Sequence, residues 1–127
     1  MHTLGARLVS VAPGEVVLEL PYQEPLTQQH GFLHAGAVAS IADSAAGYAA
    51  LSLMPADAGV LSVEFKVNLM APAAGERFRA TGRVVRAGRT VTVCTAEVEA
   101  LSVDTAKTVA LMQATMMTVR DRPGVRD

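Results

Sequence analysis

The stretch Ala35-Gly-Ala-Val-Ala-Ser-Ile-Ala-Asp43-Ser-Ala-Ala-Gly47-Tyr-Ala-Ala-Leu-Ser-Leu-Met54 decides the fold. Within it Val38, Ile41, Ala45, Tyr48 and Ser52 recur at steps of three and four, the spacing of one helix face. The opposite face carries Gly36, Ala39, Asp43, Ala46, Gly47 and Ala50. Small residues on one side and larger ones on the other predict a helix from Gly36 to about Leu53, buried nearly all round. Pro55 closes it, because the residue before a proline is pushed out of the helical region. The segment contains Asp43 and several Ser and Gly, so it is too weakly hydrophobic to read as a membrane span.

Ahead of the helix, Leu8 to Val11 and Val16 to Leu20 flank Pro13-Gly14, the chemistry of a hairpin turn. Pro21 to Leu33 has no sustained period and reads as a loop; loops longer than about a dozen residues usually carry function. After Gly59 the chain reads as strand. Leu61, Val63, Phe65, Val67 and Leu69 alternate with Ser62, Glu64, Lys66 and Asn68. Pro72 and Gly75 break that run. Arg77 to Arg86 and Thr90 to Leu101 follow, joined across Ala87-Gly88-Arg89, and Val109 to Val119 comes after a turn at Asp104-Thr105-Ala106. No helix separates the later strands, so they are expected to pair antiparallel through short turns. The expected architecture is a single α+β domain over residues 1–127, its antiparallel sheet of five to six strands curved around one long central helix.

Composition narrows the function. The chain has 127 residues, with 11 Lys and Arg against 12 Asp and Glu, a net charge of −1. That balance excludes a binder of nucleic-acid backbones, which needs clustered cations. There are 22 Ala and 17 Val, but three Phe, two Tyr and no Trp. Such a core is built of small pieces that let elements approach closely. The single cysteine, Cys94, reads as a buried strand thiol. The opening Met-His-Thr-Leu-Gly-Ala-Arg lacks a basic segment followed by an apolar run, so a cytoplasmic protein is expected.

The chemistry concentrates where the long loop enters the helix. His34, Ala35 and Gly36 stand at a helix start, whose first amides are unpaired and lie at the positive end of the dipole. Such amides can stabilise an oxyanion. Asp43 lies two turns along on the same face as Gly36 and is, apart from the Tyr48 phenol, the sole ionisable residue between His34 and Asp57. A carboxylate among Ala and Gly is costly if buried without a partner, and small neighbours leave room for a substrate. His34 taken alone reads as a hydrogen-bonder of the helix start. There is no Gly-x-Ser-x-Gly elbow for a Ser/His/Asp hydrolase and no Gly-rich phosphate cradle. His30 and His34 have helical metal-ligand spacing, but Gly31 disfavours a helix there, so no metal is expected. Tyr48, Met54, Phe32 and Met70 read first as core and second as the lining of an apolar pocket.

The run from Gln28 through His34 to Asp43 resembles the motif of hotdog-fold acyl-CoA thioesterases of the phenylacetic-acid-degradation (PaaI-like) type. That family has His-Gly-Gly at the start of its central helix and an Asp nine residues after the His, the offset of His34 and Asp43. The likeness continues through Gly59-Val-Leu-Ser62-Val-Glu-Phe, Asn68-Leu-Met-Ala-Pro72 and Gly88-Arg89-Thr90. It implies a hotdog fold and hydrolysis of a small, medium-length or aromatic acyl-CoA. Asp43 would attack the thioester or activate water, and the backbone N–H of Ala35 would polarise the carbonyl. The family has Gly at that position and Asn where Gln28 stands. Ser62 matches a hydroxyl near the carboxylate, and Gly88, Arg89, Thr90 and Asn68 match substrate-contacting positions, with Arg89 the leading phosphate contact ahead of Arg83 and Arg86.

The resemblance further implies a homodimer with shared sites, paired into a homotetramer, and no cofactor, since coenzyme A is part of the substrate. Two other classes remain in view. A non-catalytic acyl-CoA-binding module would bind without turnover. A hydratase or dehydratase of the same fold resembles a His-Phe-Pro-x-x-Pro pattern that this sequence lacks.

Overall fold

A computed structural model describes residues 4–120. Residues 1–3 and 121–127, which the single-domain expectation includes and the first of which enter the reading of the chain's start, lie outside the described residues. The element order is β1 (Arg7–Ala12), β2 (Glu15–Pro21), α1 (Ala35–Leu51), β3 (Gly59–Leu69), β4 (Arg77–Ala87), β5 (Val91–Leu101) and β6 (Ala106–Val119), with a 3-10 turn at Glu24–Leu26. The six strands form one antiparallel sheet in the order β1-β2-β4-β5-β6-β3, and α1 packs against β2, β3, β4, β5 and β6. The sheet therefore wraps the helix, as the sequence led us to expect.

The β1–β2 hairpin turns at Pro13-Gly14, where Gly14 takes φ +79°. The helix starts one residue earlier than the pattern suggested and ends at Leu51, where Ser52 donates its hydroxyl to the Ala49 carbonyl at 2.6 Å. Strand β6 begins at Ala106 rather than Val109, because Ala106 and Lys107 pair with Leu101 and Ala100.

Three expectations need correction. Successive pairing of the later strands fails once: β3 does not pair with β4 but crosses to the far edge beside β6. The connection over residues 70–76 is too long for a hairpin and passes the helix start, where the Leu33 N–H donates to the Ala73 carbonyl at 2.9 Å. The alternation in β3 is also interrupted. A bulge between Ser62 and Glu64 leaves Val63 unpaired, so Ser62 opposes buried Met116 while Phe65 opposes buried Ala114. Ser62 thereby faces the helix together with Phe65, Val67 and Leu69, whereas Leu61, Glu64, Lys66 and Asn68 point outward. Finally, α1 is not buried all round. Asp43 and Ser44 are half-buried and Tyr48 is exposed, a strip facing the start of β3.

The core is built of small residues, as the composition implied. Ile41, Val16, Val38, Leu20, Phe78, Val98, Val109 and Met116 are among its largest fully buried members, and Ala42, Ala45, Ala46, Ala49 and Ala50 seat the helix on the sheet. Full burial of a side chain the size of Ile41 or Phe78 contributes about 1.5–3 kcal/mol. The approach is closest at β4: a Cβ on Gly82 would stand 2.3 Å from the carbonyl carbon of Ala45. Cys94 is fully buried on β5, and burial pushes its thiol up to about 11, so it is an inert core residue.

Candidate functional site

His34 is the N-cap of α1. Its Nδ1 accepts the Gly36 N–H at 2.8 Å, which places the proton of the neutral ring on Nε2. Ala37 and Val38 donate to the His34 carbonyl. Of the first-turn amides, that of Ala35 alone donates to no group among the described residues. The Gly36 amide, expected among the catalytic groups, is instead spent on the cap. Ala35 and Gln28 line one hollow of about 480 Å³ together with Phe32, Leu69, Met70 and Val109. Gln28 is held within its own loop: its N–H donates to Phe32 at 2.8 Å and its side-chain oxygen accepts from the His30 N–H.

Asp43 occupies a different hollow, about 170 Å³, formed with Ser44, Gly47, Tyr48, Val60 and Ser62. Its Oδ1 accepts the Ser62 hydroxyl at 2.7 Å. The Ser62 Oγ also lies 3.3 Å from the Met116 Sδ, but a charge-assisted bond to carboxylate is the stronger acceptor for its one proton. Asp43 has no ion-pair partner among the described residues. Two helical turns separate Ala35 from Asp43, about 12 Å at 1.5 Å per residue. One carbonyl therefore cannot touch both within a single chain, since reaction requires contacts near 3 Å.

The remaining expected residues fall in two places. Gly88, Arg89 and Thr90 form the exposed β4–β5 turn, where the Gly88 N–H donates to Val91 at 2.9 Å. That turn lies at the Ser62 end of the sheet, because Val91 opposes Met117, which opposes Leu61. Asn68 does not join them. It lies on the outer face in a hollow with Lys66, Thr81, Arg83 and Gln113, on the opposite side of the sheet from Asp43. The Arg83 guanidinium is already paired with Glu15 and Glu97. Tyr48 and Met70 border hollows instead of filling the core, while Met54 packs against it. Gly47 had not been singled out as part of the site. Its position four residues after Asp43 places it on the same side of the helix, the signal that would have found it.

Among the described residues no three His, Cys, Asp or Glu side chains cluster to hold a metal, and no helix is long and apolar enough to cross a membrane.

Residues 30–117 match the family model of the thioesterase superfamily. A thioesterase family protein of Silicibacter pomeroyi superposes with a TM-score of 0.93 at 53% identity, covering 94% of this chain and 88% of that one. The PaaI protein of E. coli, from the phenylacetic acid degradation operon, superposes with a TM-score of 0.82 at 25% identity, over 93% of this chain and 82% of that one. Human acyl-coenzyme A thioesterase 13 is 36% identical over 85 residues, 66% of this chain and 60% of that protein. The chain spans less than two thirds of the length of the curated relatives at 36% identity. With a family match across most of its length and one long helix held in an antiparallel sheet, the chain belongs to the thioesterase superfamily and has its hotdog fold.

Proposed function

We propose that the protein hydrolyses acyl-CoA thioesters, water converting R–CO–S–CoA to the free acid and the CoA thiol, at sites shared between two copies of the chain. The observation that carries this reading is the placement of the free Ala35 amide and the Asp43 carboxylate at opposite ends of one edge strand. Along β3, Leu61, Val63, Phe65 and Leu69 are about half exposed. An apolar edge with unpaired amides and carbonyls is ready to take another strand. Antiparallel pairing of two β3 strands about Phe65 sets the Ser62 end of one beside the Leu69 end of the other. Ser62 borders the Asp43 hollow and Leu69 the Ala35 hollow, so the carboxylate of one copy meets the free amide of the second.

In that arrangement the Ala35 N–H polarises the thioester carbonyl and stabilises the oxyanion. Asp43 attacks the carbonyl carbon or takes a proton from the attacking water, and Ser62 orients its carboxylate. His34 fixes the helix start through Gly36. Gln28 borders the carbonyl hollow, and Arg89, with Gly88 and Thr90, offers a cation for the CoA phosphates. The assembly is a homodimer, paired into a cytoplasmic homotetramer. A second reading, a non-catalytic acyl-CoA-binding module, is favoured by the Gln28 oxygen being occupied within its own loop.

Release of free thiol from a panel of aliphatic and aryl CoA thioesters tests the proposal. Asp43→Asn is expected to lose about a thousandfold in kcat/KM, roughly 4 kcal/mol of transition-state stabilisation. Ala35→Pro deletes the amide donor where proline is tolerated, at the first helical position, and is expected to lose about a hundredfold. Mixed dimers of the two variants contain one intact site and should regain activity. No thiol release across the panel defeats the enzymatic reading, and binding without release establishes the module. Two inactive variants that do not complement would overturn the shared site, and two fully active variants would place both groups outside the reaction.

A further inference from the structure

Tyr48 borders two cavities. On one side is the Asp43 hollow; on the other is a groove of about 370 Å³ between the C-terminal half of α1 and strands β1 and β2, lined by Leu8, Val11, Leu18 and Leu51. Tyr48 is the one residue common to both linings. We propose that this groove receives the hydrocarbon tail of the acyl group, and that Tyr48 sets how long a tail is accepted. The proposal rests on the thioesterase reading above and adds a substrate class to it: unsubstituted straight-chain acyl-CoA of medium length.

Polarity separates the two cavities. Carboxylate and hydroxyl groups line the hollow, which suits a thioester. Apart from the Tyr48 hydroxyl at its border, the groove has one polar side chain, Ser52, whose hydroxyl donates to the Ala49 carbonyl and accepts the Gly14 N–H at 2.8 Å. Beyond the Tyr48 ring no polar side chain remains free to hydrogen-bond a hydroxyl or carboxylate on the acyl group, and burying such a group unpaired is costly. The hollow is open beside Tyr48, since a Cβ on the neighbouring Gly47 would meet no heavy atom within 4 Å. A flexible alkyl chain can turn past the Tyr48 ring, whereas an aryl ring fixed to the carbonyl stays in the hollow. If each methylene takes about the volume of a water molecule, roughly 30 Å³, the groove holds on the order of ten carbons. Leu8 and Val11 lie 56% and 57% exposed on edge strand β1, so a tail laid over them removes apolar surface from water.

The test is a kcat/KM series from acetyl- through octanoyl- to decanoyl-CoA. The wild-type value is expected to rise about two- to fourfold per methylene and then level off. Leu8→Glu and, independently, Val11→Glu put a carboxylate in the groove at exposed positions. Each is expected to lower the decanoyl-to-acetyl ratio tenfold or more. Tyr48→Trp should shift the preference to shorter chains and Tyr48→Ala to longer ones. Binding is read separately by calorimetry in Asp43→Asn protein, which should hold decanoyl-CoA at least tenfold tighter than acetyl-CoA, a margin that added Leu8→Glu removes. Turnover with a flat chain-length profile, or a profile that these variants leave unmoved, overturns the groove and leaves the hydrolase. No turnover with the binding margin intact overturns the hydrolase and leaves the groove. Loss of both overturns both.

Discussion

The two flanks of α1 are made from the same small residues and do opposite things. Toward β4 the helix is seated so closely that Gly82 has no room for a Cβ, which would fall 2.3 Å from the Ala45 backbone. Toward β3 it stands off: Gly47 faces open space, and Asp43, Ser44 and Tyr48 border a hollow. A run of Ala and Gly therefore permits close packing where a strand presents another small residue, and leaves room where a strand turns a polar group toward it. The difference lies in the partner strand rather than in the helix.

The largest effect is expected on the tight flank. Gly82→Ala forces the helix off β4 and should destabilise the fold by about 3 kcal/mol, read as a lower urea midpoint. An unchanged midpoint would mean that the two flanks pack alike. On the open flank, Ser62→Ala removes the hydroxyl from Asp43 and should lower kcat/KM about tenfold, near 1.4 kcal/mol, with the midpoint almost unmoved. A fall in stability as large as the fall in rate would make Ser62 a packing residue. His34→Ala strips the cap from the beginning of the helix and should cost about 1 kcal/mol in a urea titration. Smallest and opposite in sign, Gly47→Ala adds a methyl where there is space and raises helix propensity, so it should stabilise by about 0.5–1 kcal/mol. Destabilisation at Gly47 would show that the hollow is closed.

Much of this was readable in the sequence because it is local. The three- and four-residue steps at Val38, Ile41 and Ala45 give the helix, Pro13-Gly14 gives the hairpin, and an isolated acid among alanines marks Asp43. His34 acts as the cap that its position suggests. What escaped depends on partners distant along the chain. Alternation in residues 61–69 identifies a strand but not its neighbour, so the crossing of β3 to β6 was invisible. Asn68 looked like a site residue beside Ser62, yet they end on opposite faces of the sheet. Ala35 and Asp43 share a helix side but not a hollow, a separation apparent only once Leu69 and Val60 are placed at opposite ends of β3. Tyr48 reads as core by hydrophobicity alone, yet it is exposed where the helix borders the two hollows.

The extra residue at Val63 acts as a parity switch. Strand side chains are dealt alternately to two faces, so whether a hydroxyl reaches the acid is decided by whether an even or an odd number of residues intervenes from the paired part of the strand. Ser62 meets Asp43 by that count, not by any peculiarity of serine, and Val63 needs no chemistry of its own to matter. Shortening the segment by one residue would leave the composition of the strand almost untouched and yet deal either Ser62 or the whole run from Phe65 to Leu69 to the wrong side.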